Sequence, residues 1–179
     1  PDVYVHTHLA ENKDECTFVQ KAFPGCRDYL GVYEKFGLVR PRSVFAHAIH
    51  MPDDGFARMA RADACAAFCP SSNLFLGSGY FDLKGARAAG APVAFGSDVG
   101  GGTSFSMLST MAEGYKVCKG LDAPLNPFLA FYIATLGTAR ALKLDHCLGD
   151  FTPGKEADFI VLDPTATPIM ARRAATCTS

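Results

Sequence analysis

The sequence predicts an α/β fold of repeated strand-helix units at the cadence of a (β/α)8 barrel. Short apolar runs recur at residues 3–9, 44–49, 64–68 and 92–96. Each is compact, rich in Val, Ala or Phe and followed by polar or Gly-rich sequence, as buried parallel strands are. Helical patterns lie between the runs. His8 and Asp98 stand 90 residues apart across three strand-to-strand steps, or 30 residues per step. A barrel of about 250 residues with eight units averages about 31 per unit.

The elements follow in chain order. Residues 12–23 place Cys16, Val19 and Phe23 at helical spacing, and Asp53 is positioned to cap a helix whose apolar positions are Phe56, Met59 and Ala60. Residues 82–89, stopped by Gly90, make a third, short helix. After the fourth run the pattern is helical only. One helix covers 106–119, and another opens at Asn126 as N-cap with Pro127 at the first helical position and runs to about residue 142. The turn-rich segment 148–155 leads into 157–163, which reads as one strand in need of partners, and 171–179 reads as loose coil. No repeat beyond the βα cadence and no low-complexity tract is present.

Composition narrows the function. The 179 residues carry 17 Lys+Arg against 18 Asp+Glu, a formal net charge of -1, which gives no support to a strongly basic nucleic-acid face. The seven cysteines are scattered, with no C-x-x-C pair, so neither a disulfide framework nor a four-thiolate zinc site is expected; a reducing cytosol fits. No stretch approaches the roughly 18 consecutive apolar residues of a membrane span. The chain opens Pro1, Asp2, Val3, Tyr4 with no basic n-region and no Met, and the expectation is that its ends are arbitrary cuts. A small-molecule site is therefore sought first.

The polar residues of the apolar runs sit at strand ends. His8, His47 and Asp98 each close a separate strand, and βα barrels assemble their active sites at that end. Histidine and carboxylate together suit a divalent metal such as zinc, whose catalytic sites keep a position open for water. Glu11, three residues after His8, could hang over the same mouth as a proton carrier. One strand-end histidine is more often a hydrogen-bonded structural residue than a ligand, but two histidines and an aspartate at three strand ends are harder to explain that way. His6 shares its strand face with His8 and is as well suited to a supporting or barrel-filling role as to ligation. His50 reads as structural, and His146 is assigned nothing.

Two loops extend the site. Gly100, Gly101 and Gly102 follow Asp98 with only Val99 between, where glycines let the backbone approach a flat ligand or simply turn the chain. No phosphate-loop spacing can be read there. Residues 69–79 (CPSSNLFLGSG) offer hydroxyls and an amide that could contact a heterocycle or cap a turn. The cytidine-deaminase architecture, H-x-E with P-C-x-x-C, is disfavoured, because this chain has H-x-x-E and no such cysteine pair.

Six segments carry a family resemblance: HTHLAEN at 6–12, FAHAIH at 45–50, CPSSNLFLGSG at 69–79, FGSDVGGGTSFSM at 95–107, ATLGTARAL at 134–142 and LGDFTPGKEADFIVLD at 148–163. Together they resemble the C-terminal half of the guanine deaminase family, within the metal-dependent amidohydrolase superfamily. The histidine and closing motifs are common to many amidohydrolases, whereas the loops at 69–79 and 95–107 are more specific to guanine deaminases. The resemblance implies strands five to eight of a TIM-like (β/α)8 barrel with terminal helices over residues 1–147. It also implies a turn and strand of a small β-sandwich domain over 148–179.

It further implies zinc-dependent hydrolysis of guanine to xanthine and ammonia in purine catabolism, by a cytoplasmic enzyme that is a homodimer at full length. His8 and Asp98 would be metal ligands. Glu11, Asp98 and His47 would be catalytic, and His8, Glu11, His47 and Asp98 would face the substrate. Zinc would make hydroxide available near neutral pH. Asp98 would accept the proton of the attacking water, Glu11 would protonate a ring nitrogen so that C2 becomes electrophilic, and His47 would hold the hydroxide or the substrate. The two carboxylates need different environments for their separate roles.

Some family parts are missing. Two further zinc ligands, in an H-x-H on the first strand, and a guanine-holding Arg-Phe pair belong to regions upstream of this chain. The spacing of His6 and His8 imitates H-x-H, but the following LAE matches the fifth strand. The strand at 157–163 lacks its sandwich partner, and after Arg173 the chain departs from the family pattern. The 179 residues alone are expected to be inactive. Two alternatives stand beside this reading. One is a deaminase or chlorohydrolase of another aminated ring, of adenosine-derivative or triazine type, against which the 97–103 loop argues. The other is a non-catalytic half barrel serving as an interaction module, whose open strand edges would need covering.

Overall fold

A computed structural model of the chain describes residues 3–177. Four strands, β1 (Val5–Leu9), β2 (Ser43–His47), β3 (Cys65–Phe68) and β4 (Val93–Phe95), form one sheet in the order β1-β2-β3-β4 with every neighbour parallel. Parallel neighbours in sequence order require a crossover at each step, and helices supply them. Between β1 and β2 lie α1 (Lys13–Ala22) and α2 (Tyr29–Lys35), and between β2 and β3 lies α3 (Gly55–Arg61). The last crossover carries α4 (Pro70–Phe75) and α5 (Leu83–Ala88). Beyond β4 come α6 (Met107–Gly120), α7 (Pro127–Tyr132), a π-helical turn (Ile133–Gly137), α8 (Thr138–Ala141) and α9 (Pro168–Cys177).

Local chemistry explains most boundaries. Asn12 caps α1 in a reciprocal capping box with Glu15, and Ser106 and Asn126 cap α6 and α7 through their side chains. Pro127 opens α7 as the sequence predicts. The core lies where the helices cover the sheet. Phe68 of β3 stacks with Phe81 and Phe95 at centroid distances of 4.9 and 5.5 Å, and Leu9, Leu30, Phe45 and Met59 are fully buried around them. A close-packed layer of this kind holds the strand ends in fixed register.

Four expectations are corrected. The helix expected to be capped by Asp53 begins after Asp54, which makes no side-chain capping bond. Both α2 and α4 were unanticipated: the first is short and contains Gly31, and the second is a polar SSN run that starts on Pro70. Residues 157–163 form no strand, because no ladder partner lies beside them among the described residues; Ile160 and Val161 are 73% and 84% exposed. Residues 171–177, expected as coil, are helical, favoured by Pro168 at the first position and by Ala171, Ala174 and Ala175. Residues 178–179 lie outside the described residues.

Candidate active site at the strand ends

His8 is the fourth residue of β1 and His47 the last of β2. The ladder pairs His8 with Ala46 and Leu9 with His47, so the histidines stand one step apart on adjacent strands. Their rings meet edge to face with centroids 4.8 Å apart. Glu11 lies just past β1 and Asp98 just past β4. One ligand atom each from His8, His47 and Asp98 falls within 4.8 Å of the others. Glu11 Oε2 and Asp98 Oδ2 lie 3.7 and 4.0 Å from His47 Nε2. The four residues chosen from the sequence thus converge on one mouth.

The backbone at this mouth is strained. His47 and Asp98 have φ of +73° and +48°, and Ala10 and Ala48 follow with +49° and +46°. Left-handed values at residues other than glycine cost on the order of 1–3 kcal/mol each and persist only where the surroundings impose them. The imposing contacts are visible. The N–H groups of Ala48, Ile49 and His50 donate to the carbonyls of Leu9, Ala10 and Ala10 at 2.8, 3.1 and 2.9 Å, lacing the turn that carries Glu11 to the turn after His47. Tyr33 donates its hydroxyl to the His8 carbonyl at 2.8 Å, and Glu15 accepts the Glu11 N–H and the Tyr29 hydroxyl, each at 2.9 Å.

His47 is 1% exposed, and its Nδ1 lies 2.8 Å from Asn73 Oδ1. An amide oxygen can only accept, so Nδ1 carries the hydrogen and Nε2 is left to face Glu11 and Asp98. His47 Nε2, Asn73 Nδ2 and Ser72 Oγ are buried without a hydrogen-bond partner among the described residues. Leaving such a group unpaired costs about 1–3 kcal/mol, a cost that a ligand bound at His47 Nε2 would relieve. The unpartnered imidazole nitrogen of His47, the second histidine His8 and the Asp98 carboxylate form a donor set that fits a divalent metal ion.

Cys69 does not join that set. Its thiol is pushed up to about 12, first by burial and then by the Asp98 charge, with a smaller push from Glu11. In the absence of a metal it remains a thiol at neutral pH and a poor nucleophile, and it lies outside the group whose ligand atoms cluster. The glycine loop after Asp98 folds back on itself: the Gly102 N–H donates to the Asp98 carbonyl at 2.5 Å, and a Cβ at Gly102 would lie 1.9 Å from the Ser97 carbonyl oxygen. Glycine is required there by close backbone approach, which holds Asp98 in its strained conformation.

His6 lies on the exposed face it shares with His8 but outside the metal-competent group. His50 binds backbone, its Nε2 3.0 Å from the Ser78 carbonyl, and His146 is exposed and not part of the metal-competent group. Asn73 and Ser78 are functional neighbours that the sequence did not single out. The loop at 69–79 was legible as a source of an amide and hydroxyls, but spacing alone could not pair them with His47 and Glu11.

The amidohydrolase family model matches residues 1–177. Guanine deaminase of Escherichia coli (strain K12) is 48% identical over 173 residues, covering 97% of this chain and 39% of the relative. The E. coli guanine deaminase structure superposes with a TM-score of 0.95 at 47% identity, covering 98% of this chain and 41% of that one. Guanine deaminase from Bradyrhizobium japonicum gives 0.93 at 40% identity, with 100% and 43% covered. An adenosine deaminase from Xanthomonas campestris, solved with bound zinc, gives 0.85 at 25% identity, with 92% and 38% covered. The chain spans about two fifths of the length of the relatives it matches.

Proposed function

The chain belongs to the amidohydrolase family, and from that premise we propose that the protein carrying it hydrolyses guanine to xanthine and ammonia. The observation that carries this reading is the convergence of Glu11, His47 and Asp98 at one mouth, with Glu11 and Asp98 within 3.7 and 4.0 Å of His47 Nε2. Identity of 40–48% to guanine deaminases, against 25% to the adenosine deaminase, supports guanine over another aminated ring.

In this reading His8 and Asp98 would hold a zinc ion together with two further histidines from outside these residues, and the site would keep room for a water molecule. Bound there, zinc lowers the pKa of a water molecule toward neutrality. Asp98 orients the attacking water and accepts its proton. Glu11 delivers a proton to a ring nitrogen of guanine, which makes C2 electrophilic; Asp98 passes the proton of the water to the leaving amine, which departs as ammonia, and Glu11 regains a proton from the adduct hydroxyl as the C2 carbonyl forms. His47, with its hydrogen fixed on Nδ1 by Asn73, presents Nε2 to the reacting oxygen or the substrate.

The same proposal assigns residues 1–147 to strands five to eight of the barrel with its terminal helices, and 148–179 to the small β-sandwich domain. It takes the full-length protein to be a cytoplasmic homodimer. Among the described residues no helix is long and apolar enough to cross a membrane.

Glu11→Gln in the full-length protein tests the assignment. Turnover of guanine is expected to fall by at least about 100-fold, with zinc content unchanged by elemental analysis. Unchanged turnover, or loss of the metal, contradicts the role given to Glu11.

A further inference from the structure

The two oxygens of the Glu11 carboxylate have different surroundings. Oε2 lies 3.7 Å from His47 Nε2, whereas Oε1 accepts a hydrogen bond from the Ser78 hydroxyl at 3.0 Å, across 67 residues of sequence. Glu11 is itself largely enclosed, with 14% of its side chain exposed. A carboxylate on a flexible stem would otherwise sample several rotamers at the mouth.

Ser78 is held from both sides. Its N–H donates to the Asn73 carbonyl at 2.9 Å, and its own carbonyl lies 3.0 Å from His50 Nε2, which must therefore donate. His50 is tied in turn to the Glu11 turn through its N–H, which donates to the Ala10 carbonyl at 2.9 Å. The next residue, Gly79, has φ of +132°, and a Cβ there would lie 2.9 Å from Ile49 Cγ2. The chain thus makes a turn open only to glycine, against the segment that carries His50, and this turn directs the Ser78 hydroxyl at Glu11. Three segments far apart in sequence, around 10–11, 49–50 and 73–79, close a ring of hydrogen bonds around one side chain.

We infer that Ser78 is a positioning residue that pins Glu11 Oε1, so that Oε2 alone is presented to the reacting groups, with His50 bracing the Ser78 backbone. This rests on the proposed role of Glu11 as proton carrier and adds what orients it. With Oε1 engaged as an acceptor, the proton that Glu11 hands to the substrate ring nitrogen travels on Oε2. The cost of reorienting the carboxylate at each turnover is removed in advance.

The test compares Ser78→Ala, Ser78→Thr, Glu11→Gln and the Ser78→Ala/Glu11→Gln double variant in the full-length protein, with zinc content measured for each. Ser78→Ala is expected to lower kcat by about 10–100-fold while KM stays within about twofold and zinc is retained. Ser78→Thr, which keeps the hydroxyl, is expected to recover most of the loss. In the Glu11→Gln background, Ser78→Ala should add nothing, because the partner it orients is gone. An unchanged kcat in Ser78→Ala, an effect confined to KM, or a loss that multiplies with that of Glu11→Gln overturns the inference. A crystal structure of Ser78→Ala separates this idea from the functional reading. If guanine is not a substrate of the wild type, the proposed function fails, and the inference then stands if Glu11 has swung away and falls if it has kept its place.

Discussion

His47 is a buried histidine with one nitrogen committed to Asn73 and the other left without a partner beside two carboxylates. The commitment decides which atom can accept a proton or bind a ligand. Replacing Asn73 with Leu removes the acceptor and frees the ring to exchange its hydrogen between nitrogens. Losses on the order of 10–100-fold follow when such supporting partners are removed. Asn73→Leu is accordingly expected to lower kcat/KM in that range, and Asn73→Asp, which keeps an acceptor at the same reach, to lower it less. Steady-state kinetics on the full-length protein checks this, and equal activities for the wild type and Asn73→Leu would remove the tautomer argument.

At the scale of elements, Arg58 joins α2 to α3. Its side chain, 6% exposed, donates Nη1 to Asp28 at 2.6 Å, Nε to Glu34 at 2.9 Å and Nη2 to the other Glu34 oxygen, while Asp28 caps α2 through the Gly31 N–H at 2.7 Å. Burial pushes the Asp28 carboxyl up, but the Arg58 hydrogen bond, the Gly31 N–H and the Arg58 and Arg27 charges outweigh it and hold it below its ordinary 3.8. A depressed carboxyl contributes stability that is present above pH 3.8 and lost as pH falls through its lower folded value. Breaking a fully buried pair costs roughly 3–5 kcal/mol. Here Glu34 and Asp54 keep 38% of their side chains exposed, so water takes over part of the loss and about 2 kcal/mol is expected for Arg58→Met. Denaturant titration should show the lower midpoint, and the acid-side loss of stability should be shallower than in the wild type. A midpoint and acid profile equal to those of the wild type would show that the network holds nothing.

The same elements mark what the sequence made legible. Strands were readable because buried parallel strands are nearly continuous apolar runs, and α1, α6 and α7 because Asn12, Ser106 and Asn126 announce their starts. The short α2 and α4 lack enough turns to establish a period. The segment 157–163 has a strand's composition, but a strand exists only as a ladder, and the ladder depends on residues that do not lie beside it. At the site, the identities of His8, Glu11, His47 and Asp98 were legible from their strand-end positions. The hydrogen bonds of Asn73 and Ser78 were not, since each spans tens of residues and depends on how the loop at 69–79 returns over the sheet.

For the molecule as a whole, the sheet has two outer edges, on β1 and on β4, with no ladder partner among the described residues. In the proposed reading the remaining strands of the barrel cover both edges and bring the two missing metal ligands to His8 and Asp98. Phe105 and Phe128, each 86% exposed, are among the apolar groups this would allow to be buried. The account then requires one metal-dependent site acting on one purine. The most direct measurement follows xanthine formation from guanine by the purified full-length protein as isolated, after chelation, and after zinc is restored. The account predicts turnover that disappears on chelation and returns with zinc. Absence of xanthine from the zinc-loaded protein, or turnover indifferent to removal of the metal, would contradict it.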